Sequence, residues 1–223
     1  MSNFILKIIA IVTMFIDHFG YALYGKFSPL NYIGRFAFPF FAFGISEGYI
    51  HTKSKKNYLM RLFLFAIISQ VPFMFFQSIF TTNFILNIFF TLCIGLIAII
   101  GYEQCKSKYI GLLLVACLGL TANALHMDYG YFGVFAIFIF YIFKDKKLFM
   151  NLSFIGLCLL KYVPLYIRYN FYFPYLILCL CTISSLVFIN LYNGKKGLDT
   201  KYLLYGFYPI HLILLYLFNL LFV

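Results

Sequence analysis

Charge is scarce in this chain: 10% of its 223 residues are charged, and only six are acidic. A water-soluble domain carries about a quarter of its residues as charges, so that class is excluded. The signatures of soluble enzymes are missing as well. There is no G-x-S-x-G elbow, no H-E-x-x-H helix, no phosphate-binding loop and no dinucleotide fingerprint. None of the six cysteines has zinc or redox spacing. Cys93, Cys117, Cys158, Cys179 and Cys181 fall inside apolar runs and Cys105 in a lysine-flanked loop, so they read as small hydrophobes without disulfides. His18, His51, His126 and His211 lack ligand spacing, and no metal site is expected. No fixed-period repeat, long low-complexity linker or convincing signal-peptidase site appears.

What fills the sequence is apolar: 64% of residues are hydrophobic and 23% aromatic, with a mean hydropathy of +0.96. A hydrocarbon core of about 30 Å takes roughly 20 apolar residues per helical crossing. Such runs fall at 4–24, 31–50, 57–77, 84–102, 109–125, 128–143, 148–166, 171–190 and 202–222. The expected fold is all-α, a polytopic transmembrane helical bundle forming one integral membrane domain over residues 1–223. About nine spans are expected, eight to ten given the short sixth run and the Lys161 and Pro164 of the seventh. Proline in "FAFPFFAF" and "SQVPFMFF" is compatible with kinks inside spans.

The net charge of +11 does not signify nucleic acid, because the basic residues lie in short clusters between apolar runs rather than along one face. They are topology signals. "HTKSKKNYLMR", "YEQCKSK", "KDKK" and "NGKKGLDTK", with Lys7, hold all of the 17 basic residues except Lys26, Arg35, Lys161 and Arg168. Alternate connections rich in lysine face the cytoplasm. Nine spans then place the N-terminus inside and the C-terminus outside a bacterial-type cytoplasmic membrane.

An ionisable residue inside a span costs at least ~2.5 to 3.5 kcal/mol on insertion scales, so each is a functional hypothesis. Helical rise puts His18 about 21 Å from the cytoplasmic start of its run. Arg35, Asn87, Lys161 and Asp128 are expected at a similar level, so that Asp17, His18, Arg35, Asn87, Asp128 and Lys161 form an outer-half constellation. Near the inner face, Glu47 and His51 stand one turn apart, beside Lys53, Lys55, Lys56 and Arg61. His211 lies near mid-depth on the last run. Bland roles compete throughout. Asp17 could simply pair with Arg35, Glu47 and His51 could reach interfacial water, and His211 could donate to a backbone carbonyl; Lys161 and Arg168 could be snorkelling anchors. Adjacent helical residues point about 100° apart, so Asp17 and His18 cannot face the same partner.

The succession "LKIIAIVTMFIDHFGYAL", "IGRFAFPFFAFGISEGYIHTKSKKNYLMRL", "NIFFTLCIGL", "DYGYFGVFAIFIFY" and "YGFYPIHLILL" resembles the TraX family of membrane proteins, in order and over nearly the whole chain. The resemblance implies an acetylase, since the family is named for a protein held responsible for acetylating the N-terminal amine of conjugative pilin. More remotely, the chain is similar to transmembrane acyltransferases that use a histidine in the first helices and an acyl-coenzyme A donor from the cytoplasm. His18 matches that histidine.

The implied reaction uses acetyl-CoA, or another acyl-CoA, as co-substrate. Its phosphates would meet the cytoplasmic group of Glu47, His51, Lys53, Lys55, Lys56 and Arg61, with His211 along the donor side. His18 would be the general base, Arg35 or Asn87 would stabilise the oxyanion, and Asp128 or Asp17 would orient the imidazole. The acceptor would be a pilin-like protein or an envelope glycan or polymer on the outer side. A proton-coupled transporter or flippase, and a membrane scaffold of an assembly system, are the competing classes.

Overall fold

The computed structural model describes residues 1–198 and 201–222. Its helices are α1 (Asn3–Tyr24), α2 (Pro29–Gly34), α3 (Ala37–His51), α4 (Lys55–Gln77), α5 (Ile88–Gln104), α6 (Lys108–Ala124), α7 (Gly130–Ile142), α8 (Lys147–Arg168), α9 (Pro174–Asn190) and α10 (Lys201–Phe222). Four stretches are long and apolar enough to cross a membrane: α1, α4, α8 and residues Tyr205–Phe222 of α10. The helices α5, α6, α7 and α9 are apolar but shorter. Exposure supports the same environment. Along α4, Met60, Phe63, Leu64, Ile67, Ile68 and Val71 are all exposed. They recur at helical spacing as a continuous stripe, which is costly in water and matched to lipid. The chain is a membrane protein.

The apolar run at 31–50 is not one helix. It divides into α2 and α3 at Arg35–Phe36, where Arg35 N–H bonds Tyr32 O and Phe36 N–H bonds Ile33 O in tightened i−3 contacts. The reason is Pro39, which has no N–H to continue the ladder to the Arg35 carbonyl. Placed in the first turn of α3, it forgoes a bond that no first turn makes. Pro72, Pro164 and Pro209 lie inside α4, α8 and α10.

Two compact units divide the chain, one of Met1–Phe41, Pro72–Thr82 and Phe154–Val223, the other of Ala42–Val71 and Asn83–Ser153. In the first, α1 packs on α2 and α10, and α2 on α9. The segment before α10 pins the start of α1: Asn3 N–H bonds Lys195 O at 2.8 Å, Phe4 N–H bonds Lys196 O at 3.1 Å, and the N-terminal amine bonds Leu191 O. At the other end, Asn219 Nδ2 donates to Ala22 O at 2.8 Å. So α1 and α10 run parallel, in a register held at both ends.

In the second unit α5, α6 and α7 pack mutually. Gly119 lets α6 lie against the Phe135 ring, which a Cβ would approach to 2.7 Å, the small-residue approach usual between membrane helices. The turn between α6 and α7 is tied to the start of α5 by a parallel bridge, Leu86 to Met127.

The lipid-facing stripe has a direct consequence. Ile67→Arg, at the middle of α4, should cost ~2.5 to 3.5 kcal/mol in a membrane-insertion assay. A variant that inserts as well as the parent would show that this face does not meet lipid.

Candidate active site

A buried polar cluster in the first unit is built on α2. Ser28-Pro29-Leu30-Asn31 starts that helix with a reciprocal capping box. Asn31 Oδ1 accepts from Ser28 N–H at 3.1 Å and from Ser28 Oγ at 2.8 Å. Its Nδ2 turns the other way and donates to Asp17 O at 3.0 Å and to Asp17 Oδ1 at 3.2 Å. The carboxamide, only 1% exposed, is fully used, as a buried amide must be.

Arg35, one turn on, completes the set. Its Nη2 donates to Asp17 Oδ1 at 2.7 Å and Oδ2 at 2.6 Å, and its Nε donates to Asn31 O at 3.2 Å. Both side chains are nearly buried, at 13% and 10% exposure. The pairing of Asp17 with Arg35 expected from the sequence is therefore present. Gly34 makes it possible, because a Cβ there would run into the Asp17 side chain.

His18, the next residue of α1, faces α10 instead. Its Nδ1 lies 2.7 Å from Nε2 of His211, and the two rings meet edge to edge and nearly coplanar, at an interplanar angle of 15° with centroids 5.0 Å apart. His211 is 2% exposed. Its Nδ1 contacts the Phe207 carbonyl at 2.8 Å, the backbone contact that the sequence allowed, and its ring stacks on Phe207 at 4.7 Å. Phe76 and Tyr208 close around His18 at 5.1 and 6.3 Å. Among the described residues, His18 Nε2 has no hydrogen-bond partner. Asp128 or Asp17 is expected from the sequence to orient the imidazole; the partner found on the His18 ring is His211, while Asp17 is committed to Asn31 and Arg35.

The other expected site residues have separate settings. Asn87 is not inside a span but caps α5, its side chain accepting from Phe89 N–H. Its Nδ2 donates to Ala66 O at 2.7 Å and Gln70 Oε1 at 2.9 Å. Both donors are used, so no oxyanion contact comes from Asn87. Asp128 lies in the turn before α7, its N–H bonded to Leu86 O at 2.8 Å and its carbonyl to Thr91 Oγ1. Lys161 sits in α8 with Nζ 5.5 Å over Tyr162.

In the group expected at the inner face, Glu47 and His51 approach to 3.4 Å. Lys53, Lys55 and Lys56 are exposed, and Lys55 Nζ donates to Tyr49 Oη at 2.7 Å. Arg61 stands with its guanidinium 5.8 Å over Tyr58 and its Nε buried without a hydrogen-bond partner. Sequence patterns did not single out Asn31, Gly34 or Gly20, although S-P-x-N is a readable helix start.

Nearly the whole chain has recognisable relatives. A family model described as TraX protein matches residues 2–219. The chain belongs to the TraX family. It is 29% identical, over 96% of its own length and 94% of the relative's, to the "probable fimbrial assembly protein FimC, serogroup H1" of Dichelobacter nodosus. An uncharacterized protein of Rickettsia prowazekii (strain Madrid E) is 32% identical over 40% of the TraX-family chain and 34% of its own. No solved structure matches.

The ion pair gives a stability test. Arg35→Met should destabilise the protein by ~3 to 5 kcal/mol in detergent unfolding, because it strands a buried carboxylate. Adding Asp17→Leu to it should recover most of that loss. A loss that the second substitution does not recover would show that the pair is not what α2 depends on.

Proposed function

We propose that this TraX-family protein is a membrane-embedded acyltransferase, moving an acetyl or other acyl group from acyl-coenzyme A to the amine of a pilin-like protein. The observation that carries it is His18: an imidazole on a transmembrane helix, held on one nitrogen by His211 and open on the other. A structural histidine in the membrane would be expected to have both nitrogens occupied. The family relationship, and a relative named as a fimbrial assembly protein, support the acceptor class.

In the proposed step the acceptor amine attacks the thioester carbonyl carbon and His18 Nε2 takes its proton. The tetrahedral intermediate collapses with breakage of the carbon–sulfur bond, and the leaving thiolate recovers the proton from His18. The products are an amide and free coenzyme A. Arg35 is the cation proposed for the developing oxyanion. The donor's phosphates are assigned to Lys53, Lys55, Lys56 and Arg61, beside Glu47 and His51, with the unsatisfied Arg61 Nε as the supporting feature. About nine spans, a transmembrane-acyltransferase-like fold, a cytoplasmic N-terminus and an external C-terminus complete the proposal. The parallel register of α1 with α10 supports those ends lying on opposite sides.

Purified protein, acetyl-coenzyme A and a pilin N-terminal peptide give the test. His18→Gln should lower acetylation by a factor on the order of 10² to 10⁴ while the protein still folds, and mass spectrometry of the peptide reads the lost acetyl group. Full acetylation by that variant removes His18 from the chemistry. Thioester left unconsumed by the parent protein would favour an assembly factor without catalysis.

Donor binding is separable. Replacing Lys53, Lys55, Lys56 and Arg61 with glutamine should raise KM for the thioester several-fold at low salt and leave kcat nearly unchanged. An unaltered KM would place the phosphates elsewhere.

A further inference from the structure

The hydrogen bonds around the two histidines have a direction. The group facing His211 Nδ1 is the Phe207 carbonyl at 2.8 Å, which can only accept, so that nitrogen carries a proton. A neutral imidazole has one N–H, which leaves a lone pair on His211 Nε2. That lone pair faces His18 Nδ1 at 2.7 Å. Two lone pairs at this distance would repel, so the proton between the rings belongs to His18 Nδ1. The remaining lone pair of His18 is then on Nε2, the nitrogen without a partner.

We infer that His211 is a positioning residue for the proposed acyl transfer, a proposal that rests on that reading: it holds His18 in the one tautomer whose Nε2 can accept the acceptor's proton. Nothing else among the described residues bonds the His18 ring. Rotation of that ring is opposed by the in-plane contact with His211 and by the neighbouring rings of Phe76 and Tyr208, with centroids 5.1 and 6.3 Å away. Phe207 supports the chain twice, with its carbonyl on His211 Nδ1 and with its ring stacked on the imidazole at an interplanar angle of 13°. When His18 gains a proton at Nε2 during attack, its Nδ1–H still points at a neutral lone pair, so the hydrogen bond strengthens without moving a heavy atom. Return of that proton to the leaving sulfur restores the starting tautomer, and His211 ends unchanged.

The arrangement separates two histidine roles that the sequence leaves equivalent. His18 touches the reacting proton, whereas His211 acts only through His18. Glutamine at 211 can put a carboxamide oxygen near the position of Nε2 and still accept from His18. Phenylalanine keeps an aromatic ring at that place and removes the acceptor.

The chain has four histidines, so solid-state nitrogen NMR of the full-length protein in bilayers can resolve them, with His18→Gln and His211→Phe giving the assignments. Both His18 and His211 should show Nδ1 protonated and Nε2 unprotonated, and His18 should keep that state in His211→Gln but become a tautomer mixture in His211→Phe. A proton on His18 Nε2, or a His18 signal indifferent to His211→Phe, overturns the inference whether or not the protein transfers acyl groups. In the acetylation assay His211→Gln should retain kcat within about 3-fold and His211→Phe lose it by about 10- to 100-fold, with KM for the donor within about 2-fold in both. Equal losses in the two variants, or a loss confined to KM, also overturn it. Expected NMR states in a protein that transfers nothing would instead count against the acyltransferase reading alone, leaving the hydrogen-bonded pair established.

Discussion

A carboxylate in a membrane-spanning helix can stay charged only beside a cation and with its oxygens hydrogen-bonded, and Asp17 meets both conditions through α2. Arg35 supplies the cation with one nitrogen reaching both oxygens, and Asn31 supplies a further N–H. Much else follows from satisfying that single group. The helix bearing both donors must lie directly on α1, which is why Gly34 faces the Asp17 side chain and Gly20 faces Leu30 and Ser28. It must also be short, because Asn31 has to cap the start while Arg35 closes the end.

Once Asp17 is turned toward α2, the geometry of a helix carries His18 about 100° round, away from the ion pair. There it meets α10. The parallel register of those two helices, tied at Lys195 and Lys196 near their starts and at Asn219 near their ends, brings His211 level with it. The two polar neighbours thus do different work. One is consumed by holding α2 in place, and the other keeps an open nitrogen because its only hydrogen-bond partner among the described residues lies on the opposite side of the ring. A buried ion pair contributes little net stability over an apolar substitute; its value here is in orienting a helix and, with it, the residue next door.

This division of labour also weighs the alternatives. Polar residues that only lock helices together are expected to be saturated, as Asp17, Asn31 and Asn87 are. A conducting path would need a continuing series of exchangeable groups, whereas His18 meets one bonded partner, His211, and the rings of Phe76 and Tyr208. One unsaturated base next to a neutral partner suits proton transfer to and from a reacting group better than proton passage.

Composition and hydropathy were sufficient for the helical membrane class, because lipid demands long apolar helices whatever their arrangement. Spacing was sufficient for the Glu47 and His51 contact, which lies within one helix, and the adjacency of residues 17 and 18 dictated that their partners differ. The Asp17 and Arg35 pair was legible because intramembrane charges are few and of opposite sign. The division of the second run ahead of Pro39 was written in the sequence but masked by an apolar stretch that continues on both sides. What the sequence could not supply was the identity of the His18 partner. His211 lies 193 residues away, and nothing in local periodicity encodes which helix comes alongside or at what register. That was decided only by the tertiary packing of α1 against α10, where the position of one side chain depends on every contact that sets how the two helices slide and turn.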